Sequence, residues 1–162
     1  MQNAKDSFYI ALRNRLALLN PARLMMLRGI QRPAILTEEA EAVTAQTVPD
    51  AFVLRWTGLK ADLNLQQPLV QLDCEVHYTT SGTQNNGGMD RGRALESMDA
   101  ALLSILSPSS AVKMDYSQTP PIAANTMIFW NQPTFGPATT IRDRLERTVK
   151  VSIFTYQERG EQ

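Results

Sequence analysis

The chain has 162 residues, 16 Lys+Arg against 16 Asp+Glu, one Cys and one His, for a formal net charge of +0. Apolar content of 43% and charged content of 20% fit a soluble globular chain that buries roughly two-thirds of its unfolded surface, and argue against wholesale disorder. The neutral balance argues against a general polyanion binder, the lone cysteine excludes an internal disulfide or a Cys-rich zinc site, and no apolar run approaches the ~18 residues of a spanning helix or the unbroken core of a signal peptide.

A single soluble, cytoplasmic domain over residues 1–162 is therefore expected, with its core over about 5–157 and a frayed tail at 158–162. Asp6 or Ser7 is a candidate N-cap for a first helix. Phe8, Leu12, Leu16 and Leu19 form its apolar stripe, and Pro21 ends or redirects it. The patch Leu24–Leu27 reads equally as a helical turn or a strand start. Residues 38–50, acidic and Ala/Thr-rich, read as a connector. Phe52, Leu54 and Trp56 alternate with Val53 and Arg55, a strand signature stopped at Gly58.

The clearest strand is Leu69–Thr80. Val70, Leu72, Cys74, Val76 and Tyr78 point one way and Gln71, Asp73, Glu75 and His77 the other, so one face is core and one is wetted. Ser81–Gly88 is polar and glycine-rich and reads as a loop. Asp90 caps a second helix whose stripe is Ala94, Leu95, Met98, Ala101, Leu102, Ile105 and Leu106, with Pro108 just past its end. Residues 107–121, rich in Ser and Pro, read as a second long loop. Met127–Trp130 reads as a strand, and Val149, Val151 and Ile153 mark a terminal one. The segment 141–148 has charge pairs at helical spacing but feeds a strand, so the extended reading is favoured. The order helix, strands, helix, strands predicts an α+β fold: an α/β sandwich with a mixed, mainly antiparallel sheet, two main helices on one face, and long polar loops.

The zero net charge hides a pattern. Residues 1–35 carry Lys5, Arg13, Arg15, Arg23, Arg28 and Arg32 against Asp6, a balance of +5. Residues 36–75 carry Glu38, Glu39, Glu41, Asp50, Asp62, Asp73 and Glu75 against Arg55 and Lys60, a balance of −5. Two readings stand open. The blocks pair within one fold, or they form two complementary surfaces that meet on neighbouring copies.

Catalytic signatures are absent from the sequence. There is no phosphate loop with Lys-Ser/Thr, no dinucleotide fingerprint and no paired-histidine motif. Gly87-Gly88 precedes a helix, but no lysine follows and Asp90 would repel a phosphate. His77 and Cys74 are three residues apart on one strand and point to opposite faces, which excludes a pair between them. His77 reads as an ion-pair partner at the sheet surface and Cys74 as a small buried hydrophobe. Glu38, Glu39 and Glu41 read as a solvated acidic run rather than a metal site. Trp56 and Trp130 read as core residues, and Met25, Met26, Met89, Met98, Met114 and Met127 as dispersed gap-fillers. No cofactor or metal is expected. Without a catalytic group, the long polar stretches 37–50, 79–90 and 107–121 point to contact with other protein chains.

The element order carries a resemblance. An amphipathic N-terminal helix precedes the strands Phe52–Trp56 and Val70–Tyr78 and a glycine-rich loop. A helix opening Met89-Asp90-Arg91-Gly92-Arg93-Ala94 follows, then Asn125–Trp130 leading to Pro133-Thr134-Phe135-Gly136-Pro137, and a last strand ending in Phe154 and Tyr156. This pattern, over roughly residues 5–157, resembles the tail terminator (tail completion, minor tail) proteins of tailed bacteriophages and prophages. The resemblance implies a non-enzymatic virion protein of the tail and neck, assembled in the host cytoplasm. It implies a hexameric ring that caps the tail tube, contacts the tail tube protein and the head–tail connector or stopper, touches no membrane, and passes DNA through its lumen unread. Ring subunits meet head to tail and need two different surfaces. Arg13, Arg15, Glu38, Glu39 and Glu41 are the candidate subunit interface. Gln84, Asn85, Asn86, Arg91 and Arg93 are the candidate lumen or partner loop. The competing readings are another neck or head-completion protein, a small hydrolase using His77, and a ligand-binding module built on Trp56 or Trp130.

Overall fold

A computed structural model describes residues 1–41, 48–158 and Glu161. The first helix, α1, spans Gln2–Leu19 and buries Ala4, Phe8, Leu12 and Leu16 at the four-residue interval of one helical face. It starts before the expected caps. Asp6 lies inside it and accepts from the Gln2 amide at 2.8 Å. The Ser7 hydroxyl donates to the Asn3 carbonyl at 2.6 Å. The helix stops at Asn20, ahead of Pro21.

Leu24–Leu27 is a strand, β1, paired antiparallel with β2 (Ile30–Pro33) in a two-stranded sheet of its own. Arg28 and Gly29 make the turn with positive φ at both positions, as a two-residue hairpin requires. Next come β3 (Ile35–Thr37) and a single helical turn, α2 (Glu38–Glu41). The expected connector 38–50 is thus helical at its start, and residues 42–47 lie outside the described part.

The main sheet has eight strands. β4 (Phe52–Asp62), β5 (Leu69–Thr80), β6 (Ser109–Asp115), β7 (Ile122–Trp130), β8 (Thr134–Phe135), β9 (Thr139–Ile141) and β10 (Arg144–Tyr156) join β3 in it. The main path is β3-β4-β5-β10-β7-β6, with β8 and β9 on β10, and only the β3–β4 pairing is parallel. The long strand β10 pairs with β5 from Leu145 to Tyr156 along one side. Its other side is shared end to end by β9, β8 and β7. The extended reading of 141–148 therefore holds.

Two expectations are corrected. Gly58 does not stop β4. It follows a bulge after Trp56 and faces Asp73, where an added Cβ would lie 3.1 Å from the carboxylate. Residues 107–121 are not one long loop, because β6 occupies 109–115. Its inward position is a lysine, so no apolar alternation marked it.

The second long helix, α3 (Arg91–Ile105), buries Leu95, Met98, Ala101, Leu102 and Ile105. It and α1 pack on the sheet face formed by Val70, Leu72, Cys74, Val76 and Tyr78 of β5 and Val149, Val151 and Ile153 of β10. Phe8 meets the edges of both indoles, at 6.0 Å from Trp56 and 5.3 Å from Trp130. The fold is α+β: a curled, mainly antiparallel sheet with its long helices on one face.

Candidate assembly surfaces

The basic and acidic blocks meet within the chain. Lys5 on α1 pairs with Glu39 on α2 at 3.0 Å. Arg32 on β2 pairs with Glu41. Glu41 also accepts from the Tyr9 hydroxyl at 3.1 Å and the Thr37 amide at 3.2 Å. Arg55 on β4 holds Glu38, with its Nη2 at 2.9 Å from Oε1. Burial first, and then the Glu41 carboxylate, push the Tyr9 phenol up to about 12. Of the acidic run, Glu38 and Glu39 stay solvated while Glu41 is largely covered, and all three have cationic partners in the same chain.

Arg15 is likewise engaged internally. Its guanidinium donates to the Ile105 carbonyl at 3.0 Å, near the C-terminal end of α3, and to Ser109 Oγ at 2.7 Å on β6. It also lies 4.8 Å from the centre of the Trp130 ring. Arg13 is half-buried and makes no hydrogen bond or ion pair among the described residues. Of the candidate interface residues, Arg13 alone keeps its charge free of such a contact, so these five residues do not carry the reading in which opposite blocks meet on neighbouring copies.

In the candidate lumen loop, Asn85, Asn86 and Arg93 are exposed, while the Gln84 side chain lies outside the described part. Asp90 stands at the N-cap position, but its carboxylate takes the Thr83 amide at 3.0 Å and the Thr83 hydroxyl at 2.8 Å instead of capping the helix. Arg91 folds back over Gly88, where φ is +78° and a Cβ would sit 2.6 Å from Nε. The loop is thus built around its own contacts.

His77 and Cys74 point to opposite faces. The His77 ring contacts Thr148 at 3.2 Å and Glu146 at 3.7 Å across β10, so its partners are not the Asp73 and Glu75 of its own strand. Burial drives the Cys74 thiol up to about 12, leaving no thiolate nucleophile at neutral pH. The Trp130 indole is packed in the core and donates to the Ser107 carbonyl at 3.2 Å. Trp56 borders a cleft of 160 Å³, smaller than the roughly 300 Å³ at which small-molecule pockets begin. Among the described residues no group of three or more His, Cys, Asp or Glu is placed to hold a metal. No helix is long and apolar enough to cross a membrane.

Sequence reasoning missed the outer face of the sheet. Phe129 on β7 stacks on Phe154 of β10 with centroids 5.4 Å apart, on the side away from the helices. Met127 stands opposite Val112 of β6. Val112 and Met127 are each 49% exposed and Phe129 40%. Met26, on the β1–β2 hairpin, is 64% exposed. The methionines are therefore not all core gap-fillers. Contiguous apolar surface of this kind marks an interaction site more often than scattered apolar residues do.

One buried charge cluster lies beneath this face. Lys113 of β6 is fully buried and donates to the Tyr156 carbonyl at 2.8 Å and to Glu161 at 2.7 Å. Glu161 also lies 3.1 Å from the Met1 ammonium. The expected fraying at 158–162 does not extend to Glu161, whose carboxylate is buried against two cations. The chain matches no protein-family model, and no curated protein is significantly similar to it.

Proposed function

We propose that this chain is a structural assembly protein of the tail terminator kind, forming a ring that caps a phage tail tube and joins it to the connector above. The order of helices and strands supports the family reading. The apolar outer face of β6, β7 and β10 carries the assembly part of it. Val112, Met127, Phe129 and Phe154 lie side by side on a sheet face that no helix covers, and burying them against another chain is favourable at about 25 cal/mol per Å².

The expected partners are further copies of the chain, the tail tube protein and the connector or stopper. DNA passing through the lumen needs only a polar lining, and the exposed Asn85, Asn86 and Arg93 suit that role. The test is negative-stain microscopy of cognate tail tubes grown with and without the protein. Capped tubes of fixed length are the expected result. Tubes that stay uncapped and polydisperse sink the reading.

A further inference from the structure

The β1–β2 hairpin forms a sheet separate from the body of the protein. Its root is tied down, since the Ala34 amide donates to the Arg23 carbonyl at 3.0 Å and Arg32 is bonded to Glu41 and Tyr9. Register sorts its side chains. Leu24 and Met26 share one face with Gln31 and Pro33, while Met25, Leu27, Ile30 and Arg32 share the other. The second face holds Arg32 against α1 and α2 and half-buries Met25 and Leu27, with Ile30 67% exposed at the turn. The first face turns outward, with Leu24 42% and Met26 64% exposed. A two-stranded hairpin is marginal in water without a surface to pack on, so an outward apolar pair favours a cover.

Copies are not set up to join by extending the sheet. At the β6 edge, α1 blocks the strand: Ser7 Oγ accepts from the Met114 amide at 2.8 Å, and Arg15 reaches Ser109. At the opposite edge, β3 is three residues long. Both edges are blunted in the manner that prevents strand addition. Association must then use faces. The hairpin carries Arg23, Arg28 and Arg32 and no carboxylate, with Arg28 exposed at its turn. Beside the outer apolar patch stands Asp73 on β5, hydrogen-bonded to Gln71 and Ser152 and in no ion pair among the described residues.

We infer that the hairpin of one copy docks, through Leu24 and Met26, on the outer face formed by Val112, Met127, Phe129 and Phe154 of the next copy. The basic hairpin turn, with Arg28, lies toward the Asp73 carboxylate beside this face. The contact is heterologous, joining two different surfaces, and so builds a ring if the rotation closes. The inference rests on the assembly reading above and specifies which surfaces meet.

The test uses Met26→Asp and Phe129→Asp, both at exposed positions, checked for an unchanged circular dichroism spectrum and a cooperative melt. Sedimentation should show a wild-type oligomer and, for each variant alone, association weakened roughly thirtyfold or more, the loss of one hot-spot side chain. An equimolar mixture of the two should form a heterodimer and nothing larger, because such a pair keeps one intact hairpin and one intact face. Leu24→Glu with Met127→Glu repeats the experiment should either first variant fail to fold. Oligomers that persist in both variants, or a mixture that stays monomeric, overturn the inference and leave the ring reading standing. A wild-type monomer at every soluble concentration also overturns it, and tube capping then decides the ring reading separately.

Discussion

At the corner between α1, α2 and β2, charged side chains close on one another, and the glutamates expected to face a neighbour are bonded to Lys5, Arg32 and Arg55 of their own chain. On the outer face of β6, β7 and β10, Val112, Met127 and Phe129 stand 40–49% exposed to water. The corner is the more conspicuous in composition and the less available for binding. A charge that already has a partner gains little from a second one, whereas an exposed aromatic gains by every contact that removes it from water. The difference teaches that polarity alone is a poor guide to an interface. The deciding question is whether the group has been satisfied at home.

The sharpest way to break this contrast is to remove Glu41. Glu41→Ala leaves the Arg32 guanidinium without its carboxylate in a site where both side chains are 12% exposed. It should cost about 3 kcal/mol of folding stability, lowering the melting midpoint by ~6–12 °C. Because Glu41 also ties the hairpin through Arg32, self-association of the folded fraction should weaken, but less than for Phe129→Asp, and the Tyr9 phenol should titrate below its present value of about 12. Differential scanning calorimetry with sedimentation checks the first two outcomes.

Phe129→Asp should do the reverse. Association should weaken by ~2 kcal/mol, while stability falls by about 1 kcal/mol with the loss of the stack on Phe154. If Glu41→Ala costs more association than Phe129→Asp, or Phe129→Asp more stability than Glu41→Ala, the division into a structural corner and a binding face is wrong.

Arg15→Ala tests whether the basic block serves folding. Losing its bonds to Ile105 and Ser109 should cost ~1.5 kcal/mol in chemical denaturation and leave association unaffected. A larger effect on association than on stability would return Arg15 to the interface.

The last effect appears only in acid. Burial by itself would raise the Glu161 carboxyl, but hydrogen bonds from Lys113 and from the Met1 ammonium outweigh it and hold the carboxyl below its ordinary range. Because the folded value is the lower one, this contribution is fully present above the unfolded value of about 4.3 and is lost as pH falls through the folded value. Denaturant midpoints measured from about pH 6 to pH 3 should decline less steeply for Glu161→Gln than for wild type.

Where one face of an element is buried and the other wetted, the residues announce it. In β5 the apolar positions from Val70 to Tyr78 are all buried, and the predicted span Leu69–Thr80 matches the observed one. The stripe of α3 reads equally well. In β6 the same logic fails, because the core-facing position is Lys113. Its ammonium is tolerated there only through the Tyr156 carbonyl and Glu161, which are 43 and 48 residues away in sequence. In β7 the run Met127-Ile128-Phe129-Trp130 is apolar at every position. Period two cannot say which pair is core, and the structure buries Ile128 and Trp130 and exposes Met127 and Phe129. The exposed apolar face was hidden in that ambiguity.

The sequence by itself determined the α+β class, the course of β5, the inward face of α3 and the opposed orientation of His77 and Cys74, because each follows from local periodicity. Only the tertiary structure decided that the two blocks touch through Lys5–Glu39 and Arg32–Glu41, that Arg15 ties α1 to α3 and β6, and that the exposed apolar surface lies on the outer sheet face. Those outcomes depend on which distant residues share a neighbourhood. The neutral balance thus includes pairings within the chain, with Lys5 reaching Glu39 across 34 residues, and the proposed association rests on the apolar side chains that the fold leaves exposed.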